Sequence, residues 1–319
     1  MRQVLERHQV AAYLGAIAVG VLVGVLWDGA GGLAVAVEPV IALLLFVTFL
    51  GVPVRRVVES LRDWRFLGAL LAVHWLVVPS VVWMVTRPLG EPPALLVGAA
   101  MVLLTPCVDY VVVFTRIAGG AHQRLLAATP LLMLLQVLAT PVLLPLIVGE
   151  AGAGVVQAEP FLRAFLVLVL APFAAAVLVQ ALAARARPVE RATAAIEGWM
   201  VPLMVATLLL VSASSVPAVL GLGPQLTLVA AAYLAFAVMM TALGLVVARL
   251  TRLPVDQARA VVLSGVTRNS LVVLPLALAV PVAGQAAGAA VVLQTVVELV
   301  VLVALVRILP RLLPERANR

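Results

Sequence analysis

The sequence predicts an all-α integral membrane protein with ten transmembrane helices, arranged as two inverted repeats of five. The first supporting observation is composition: 65% of the 319 residues are hydrophobic and 11% are charged, whereas soluble domains carry about a quarter charged residues. The second is that apolar runs of about 18 residues or more, long enough to cross a bilayer, recur along the chain. The third is that arginine-rich loops alternate with loops that contain almost no arginine.

Ten apolar runs follow one another along the chain. The first comes after a short charged segment, as in a signal peptide, but the many runs behind it indicate a first transmembrane helix. The chain 1–319 is then a single transmembrane unit, with one repeat at about 10–148 and the other at about 161–306. The predicted spans lie at about 10–27, 33–50, 66–86, 94–118, 123–148, 161–184, 199–217, 225–248, 256–281 and 286–306.

The basic residues predict the orientation of the spans. The chain has 21 basic residues and no lysine, so all of them are arginines. Most lie at the two ends of the chain and in every second loop, whereas the opposite loops hold only Arg87 and Arg163. Because basic residues concentrate in cytoplasmic loops, we expect both termini in the cytoplasm and the protein in the inner (plasma) membrane. Because the arginines flank the predicted spans, the net charge of +7 indicates contact with the lipid bilayer and not with nucleic acid.

Two weak internal matches support the division into repeats. Pro39 in span two and Pro202 in span seven are 163 positions apart, and Thr105 in span four and Thr267 in span nine are 162 positions apart. An odd number of spans in each set turns the second set upside down relative to the first. Inverted repeats of this kind are a common plan in secondary transporters.

Spans four and nine are each predicted to break in the middle of the membrane. In "MVLLTPCVDY", a hydroxyl followed by proline is a helix-start signature, so one helix should end near Leu104 and the next begin at Thr105. In "SGVTRNSLVV", Gly265 can end one half-helix, and Thr267 or Asn269 can cap the next. Interrupted backbone is tolerated at this depth only inside protein or beside a water-filled cavity, and paired broken helices form the substrate site of inverted-repeat carriers.

Cys107, the one cysteine in the sequence, follows the break in span four. A free cysteine is most often a small buried hydrophobe. In the first turn of a half-helix, however, the positive end of the helix dipole favours the thiolate and raises its reactivity. Because a thiolate is a soft ligand, a functional Cys107 would favour a soft metal or metalloid as the substrate.

Three charged side chains lie deep in the predicted spans, and each costs about 2.5–3.5 kcal/mol on insertion scales. Asp109 and Arg268 are either a structural ion pair across the two breaks, or a proton-carrying group and its counter-charge. Arg268 could alternatively bind an anion. Glu298 is either a buried partner for polar groups such as Gln294 and Thr295 or a coupling residue.

Other classes of function lack their motifs in this sequence. It contains no phosphate-binding glycine loop and no zinc-protease motif, so we expect neither an ATP-driven pump nor an enzyme. A single cysteine excludes an internal disulfide and a multi-cysteine metal site. Neither His74 nor His122 has a partner at metal-ligand spacing, so both are interpreted as structural and no cofactor is expected.

Four stretches resemble a known transporter family. "LLTPCVDYVVVFTRIAGG" resembles the fourth-span signature of arsenical-resistance efflux carriers, in which a cysteine sits at the helix break. "VTRNSLVVLPLALAV" is similar to the ninth-span signature of the bile acid:sodium symporter superfamily. "LERHQVAAYLGAIAVGVLVG" and "LLLFVTFLGVPV" also resemble the arsenical-resistance branch, so the similarity covers nearly the whole chain.

The resemblance implies a core domain, in which spans four and nine cross, and a panel domain formed by spans one, two, six and seven. It also implies export of trivalent arsenite, with antimonite as a candidate second substrate. Cys107 matches the essential cysteine of the arsenite carriers, and Asn269 matches the asparagine of the ninth-span motif.

The chain departs from the family pattern at the ninth-span motif. Sodium-coupled bile acid carriers have a glutamate and a glutamine where this chain has Ser264 and Arg268, and arsenite exporters have a glutamate shortly after the asparagine, where this chain has "NSLVV". We therefore expect an antiporter that exports arsenite, uses protons and needs no sodium. The alternatives are an organic-anion carrier with Arg268 as the anion clamp, and a membrane sensor or scaffold that does not transport. The candidate substrate-binding residues are Cys107, Asn269, Thr105, Thr267 and Arg268, and the candidate coupling residues are Asp109 and Glu298.

Overall fold

The computed structural model describes residues 2–51, 63–90, 92–107, 110–149, 166–220, 223–278 and 284–314. Within these ranges every regular element is helical, as the sequence predicts, and no strand forms. The helices are α1 (Arg2–Leu26), α2 (Ala34–Leu50), α3 (Trp64–Thr86), α4 (Pro93–Leu104), α5 (Tyr110–Ile117), α6 (His122–Val148), α7 (Ala171–Ala183), α8 (Arg187–Glu197), α9 (Met200–Leu220), α10 (Gly223–Leu250), α11 (Val255–Val266), α12 (Ser270–Leu278) and α13 (Gly284–Leu312).

Five helical stretches of the described ranges are long and apolar enough to cross a membrane. Large apolar side chains point outward from them, such as Val35 and Leu250, which are 84% and 77% exposed. Outward-facing apolar side chains of this kind suit a hydrocarbon surrounding. The count of ten spans stays a prediction. The five stretches are Asp28–Val47, Trp64–Thr86, Arg187–Ser214, Gly223–Leu250 and Ala286–Leu312.

Helix α3 changes its winding near its centre. It begins after Asp63, whose side-chain oxygen accepts a hydrogen bond from the N–H of Phe66 at 3.3 Å and so caps the helix. The middle of the helix widens into a π segment at Val73–Val77, where the N–H of Val78 donates to the carbonyl of Val73. The widening precedes Pro79, which has no N–H and cannot close an ordinary helical turn. Single π turns inside α-helices often occur at functional sites.

Two glycines allow pairs of helices to approach closely. α1 packs along α9, and a Cβ at Gly20 would lie 2.6 Å from the carbonyl oxygen of Leu209. α4 packs along α13, and a Cβ at Gly98 would lie 2.8 Å from the Cα of Ala287. Neither separation leaves room for a side chain, so both contacts require glycine. α2 packs against α7 and α9, while the division into a panel and a core domain stays a prediction.

The first interrupted helix breaks where the sequence predicts, but the predicted start of its second half is wrong. α4 ends at Leu104, as predicted, whereas the described part of α5 begins at Tyr110 and not at Thr105. Thr105 has extended backbone (φ −93°, ψ 116°), and its hydroxyl donates to the carbonyl of Met101 at 2.9 Å, so it closes α4 instead of capping α5. The reason is Pro106, because a proline ring disfavours the helical conformation of the residue before it.

The second interrupted helix agrees more closely with its prediction. α11 ends at Val266, one residue beyond Gly265, and α12 begins at Ser270. Of the two predicted caps, Asn269 is the one whose side chain acts on the second half. Its Oδ1 accepts a hydrogen bond from the N–H of Val272 at 3.1 Å, which satisfies one of the free donors at the start of the helix.

Candidate functional site

The two break segments meet inside the protein, at a point that we call the crossing. Pro106 and Arg268 face each other in an isolated antiparallel β-bridge, and the N–H of Asn269 donates to the carbonyl of Thr105 at 2.9 Å. Thr105, Arg268 and Asn269 are at most 5% exposed. This bond pairs a buried backbone donor of the second break with a buried backbone acceptor of the first, as buried backbone in a membrane protein requires.

The two helices that lead into the crossing have the same length and a constant separation in the sequence. α4 and α11 each contain 12 residues, and their first and last residues are both separated by 162 positions. Thr105 and Thr267 follow them directly, and each hydroxyl donates to the carbonyl four residues earlier, at 2.9 and 2.8 Å. In the same register, Cys107 of the first break corresponds to Asn269 of the second.

The guanidinium of Arg268 lies against the carboxyl ends of both leading helices. Its Nη1 donates to the carbonyl of Leu103 at 3.4 Å, and its Nη2 donates to the carbonyls of Ser264, at 3.1 Å, and of Gly265. The guanidinium carbon is 5.3 Å from the centre of the Phe236 ring, and the side chain is fully buried. The carboxyl end of a helix carries a partial negative charge, so a permanent cation occupies the place where two such ends meet.

Glu298 connects the second break to α13. Its Oε2 accepts a hydrogen bond from the backbone N–H of Arg268 at 2.7 Å and another from the side-chain amide of Gln294. The amide oxygen of Gln294 accepts the hydroxyl of Ser270 in turn. The predicted contact with Gln294 is therefore present, whereas Thr295 donates to the carbonyl of Val291 within its own helix. The coupling role of Glu298 stays a prediction.

Cys107 lies in the first break segment and is 1% exposed, without a disulfide. The prediction that it occupies the first turn of a half-helix is wrong, because Cys107 itself is not helical and α4 ends before it at Leu104. Asp109 lies outside the described residues, so its pairing with Arg268 and its proton-carrying role stay predictions.

Helix α6 also contributes polar groups to the crossing. The side-chain amide of Gln136 donates to the hydroxyl of Thr105 at 3.4 Å and to the hydroxyl of Thr140. All three side chains are buried. Because Thr105 also donates to the carbonyl of Met101, it links α6 to the carboxyl end of α4.

His74 approaches the same region from the π segment of α3. Its Nε2 lies 2.9 Å from the Oγ of Ser264, the residue whose carbonyl accepts the Arg268 guanidinium. The imidazole is buried, and its Nδ1 has no hydrogen-bond partner among the described residues. In this part of the chain, no group of three or more His, Cys, Asp or Glu residues is arranged to hold a metal ion.

A family model matches residues 10–311 of the chain, which include both breaks and every residue of the crossing. The chain belongs to the SBF-like CPA transporter family. Membership in the SBF-like CPA transporter family, together with the long apolar helices, makes the chain a multi-pass membrane transporter. It confirms the resemblance to bile acid:sodium symporters at the level of the family, whereas the arsenical-resistance branch stays a prediction. No curated protein matches the sequence significantly.

Three polar side chains at the crossing of this SBF-like CPA transporter are not among the site residues predicted from the sequence. His74 is interpreted as structural because no second metal ligand lies at a suitable spacing, and neither Gln136 nor Ser270 carries a charge that would single it out. Their common signal is a polar side chain inside an apolar span. Because hydrocarbon offers no hydrogen bonds, each such group needs a partner within the protein.

The crossing offers this SBF-like CPA transporter several chemically distinct groups in one buried region. They include a soft sulfur, threonine hydroxyls, amides, a carboxylate and a guanidinium whose Nη1 and Nη2 donate to backbone carbonyls. Such a set can bind an uncharged polar solute that contains a soft atom.

Proposed function

We propose that this SBF-like CPA transporter exports arsenite, with antimonite as a candidate second substrate, in exchange for protons and without sodium. The proposal includes ten spans in two inverted repeats, a location in the inner membrane and cytoplasmic termini. Spans four and nine belong to the core domain, and spans one, two, six and seven form the panel. The identical length and register of α4 and α11, including their closing threonines, support the repeat.

The observation that carries the choice of substrate is the position of Cys107 in the crossing. At neutral pH arsenite is mostly an uncharged triol, whose hydroxyls can exchange hydrogen bonds with Thr105, Thr267 and Asn269. Thiolate sulfur is a soft ligand and favours soft metals and metalloids. Cys107 corresponds in register to Asn269 and is buried, so a ligand held between the two breaks would meet sulfur on one side and an amide on the other.

Independence of sodium is supported by the guanidinium of Arg268. It already donates to carbonyls at the ends of both leading helices, and arginine does not lose its proton in proteins. A sodium ion about 4 Å away would be repelled by about 4 kcal/mol at an effective dielectric constant of 20, which weakens its binding roughly a thousandfold. Ser264, where sodium-coupled relatives have a glutamate, supplies no compensating charge.

The competing functions are less well supported. An organic-anion carrier would need the Arg268 guanidinium to face the anion, but its Nη1 and Nη2 face Leu103, Ser264 and Gly265. A sensor or scaffold that does not transport is at odds with membership in a transporter family.

The proposal is tested by arsenite sensitivity in cells that lack their own exporter. We expect the parent protein to permit growth at arsenite concentrations that stop cells carrying an empty vector. Cys107→Ser should remove this protection at an equal amount of protein in the membrane, because serine keeps the size of cysteine but loses the soft ligand. Ser212→Ala is a matched control, since that buried hydroxyl has no partner among the described residues and lies on α9.

Two results would count against the proposal. If the parent gives no protection, arsenite is not the substrate. If Cys107→Ser protects as well as the parent, the thiol is only a packing group.

A further inference from the structure

His74 is a buried titratable side chain to which the proposed transport cycle assigns no role. It lies in the π segment of α3, is 3% exposed, and places its Nε2 2.9 Å from the Oγ of Ser264. Its Nδ1 is buried without a hydrogen-bond partner among the described residues. Buried polar atoms are almost always paired in native proteins, so this nitrogen requires an explanation. When Nε2 donates to Ser264, Nδ1 presents a lone pair, which is the position where a proton would bind.

The imidazole and the Arg268 guanidinium contact the same residue. Ser264 faces His74 with its hydroxyl and accepts the Arg268 Nη2 with its carbonyl at 3.1 Å. A proton on His74 would place a second positive charge beside a guanidinium that is fixed at the ends of two helices. The described conformation therefore disfavours the charged imidazole, and any movement that separates Arg268 from Ser264 favours it.

Within the described residues, no other charged group on the helices that pack against the π segment shares a hydrogen-bonding residue with the imidazole. The π segment packs against α10 and α11. Tyr233 on α10 donates its hydroxyl to the carbonyl of Ala290, and the charged residues of α11 lie five and eight positions before Ser264, about 8 and 12 Å along the helix axis. These two residues of α11 are Asp256 and Arg259. The other charged side chains are Arg65 on α3 and Arg249 on α10, with Asp63 and Arg87 flanking α3.

We propose that His74 binds the proton that drives transport, a proposal that rests on the proposed function being proton-coupled. The proton comes from water on one side of the membrane, binds to Nδ1 when the crossing opens, and returns to water on the other side. A ligand shifts a conformational equilibrium only by the difference between its affinities for the two states. The neighbouring guanidinium supplies that difference, because it opposes the proton only while Arg268 holds the ends of α4 and α11. His74 thus acts together with the predicted coupling residues Asp109 and Glu298.

The thiol of Cys107 provides a reporter of opening that needs no substrate. It is the one cysteine in the sequence and is buried at the crossing, so its reaction with N-ethylmaleimide requires the crossing to open. We would measure the rate of this reaction between pH 5.5 and 8.0 in the purified parent protein and in His74→Gln, both in lipid nanodiscs. The ratio of the two rates at each pH removes the ionisation of the thiol itself, which both proteins share.

Opening that takes up one proton becomes about tenfold more favourable for each unit by which the pH falls. We therefore expect the ratio of parent to His74→Gln to rise towards acidic pH with a slope approaching tenfold per unit, and then to level off. His122→Gln, the same change in a histidine at the start of α6, should give a ratio to the parent that does not vary with pH. A constant ratio for His74→Gln, or an equal change for His122→Gln, would overturn the proposal.

A second variant covers the case in which His74→Gln does not fold, as judged by size-exclusion chromatography. Ser264→Ala keeps the imidazole but removes the hydroxyl that joins it to the end of α11. The ratio of the Ser264→Ala rate to the parent rate also removes the ionisation of the thiol, and it should vary with pH. A ratio that stays constant across the pH range would overturn the proposal. Because arsenite is absent from these measurements, a different substrate would not change their outcome, and failure of the arsenite assay can be distinguished from failure at His74.

Discussion

Replacement of Arg268 by alanine should destabilise the protein by about 3 kcal/mol. The change removes the donors to the carbonyls of Leu103, Ser264 and Gly265, all of which lie at the buried crossing. Each buried acceptor left without a partner costs about 1–3 kcal/mol. The loss is partly offset, because burial of a guanidinium itself costs several kcal/mol that the variant no longer bears.

The free energy of unfolding can be measured by titration with sodium dodecyl sulfate in mixed micelles. Arg268→Lys should recover about half of the loss, because an ammonium keeps the charge but cannot reproduce the planar fork that reaches both helix ends. Arg87→Ala is the matched control, since Arg87 donates to the carbonyl of Ile147 at 3.2 Å and stacks on Trp83. We expect this control to lose about 1 kcal/mol. A loss below about 1 kcal/mol for Arg268→Ala would refute the assignment of its guanidinium to the two helix ends.

The same reasoning predicts that a sodium response can be created. The double change Ser264→Glu and Arg268→Gln introduces the glutamate and glutamine that the resemblance implies for sodium-coupled carriers, and it leaves the carbonyls without a fixed cation. Sodium chloride should then raise the thermal unfolding temperature of this variant relative to potassium chloride, because a bound ion stabilises the state that binds it. The parent should unfold at the same temperature in both salts.

Changes at Gly98, Glu298 and Asp109 provide three further tests. Gly98→Ala should cost about 1–3 kcal/mol in thermal or detergent unfolding, because its Cβ would lie 2.8 Å from the Cα of Ala287; Gly68→Ala, where a Cβ meets nothing within 4 Å, should be neutral or stabilising. Glu298→Ala should cost about 2–3 kcal/mol by the same assay, since it leaves the Arg268 N–H and the Gln294 amide without their acceptor, and Glu298→Gln should recover most of that; equal losses would contradict this role. Asp109→Glu should retain part of proton-driven transport in vesicles, whereas Asp109→Asn should stop it, and parental transport with an unchanged pH profile in Asp109→Asn would make Asp109 structural.

The helical class and the two breaks could be predicted from the sequence because they depend on strong local signals. Long apolar runs leave few alternatives to helices. The end of α4 at Leu104 and the cap at Asn269 follow from residues whose preferences are local, namely a Thr-Pro pair and an asparagine before an apolar run. The predicted start of α5 is wrong because two local preferences compete at Thr105. Its hydroxyl can cap the next helix or donate to the carbonyl of Met101, and Pro106 favours the bond to Met101.

The contacts of the candidate site could be predicted only in part, because most of them join residues far apart in the sequence. Composition indicates that Arg268 and Glu298 need partners, but not that one guanidinium reaches both Leu103 and Ser264. The hydrogen bond between His74 and Ser264 spans 190 positions and depends on the π segment of α3, which no sequence period indicates. Gln136 likewise meets Thr105 only through the packing of α6 on α4.

Uptake of arsenite into inside-out membrane vesicles tests the proposed transport reaction most directly. Vesicles that contain the parent protein would be given a proton gradient in buffers matched except for sodium or potassium, and Cys107→Ser vesicles would provide the background. We expect uptake at equal rates in the two buffers, and we expect it to collapse when a protonophore removes the proton gradient. Uptake that requires sodium, or that continues unchanged after the gradient is removed, would contradict proton-driven arsenite export.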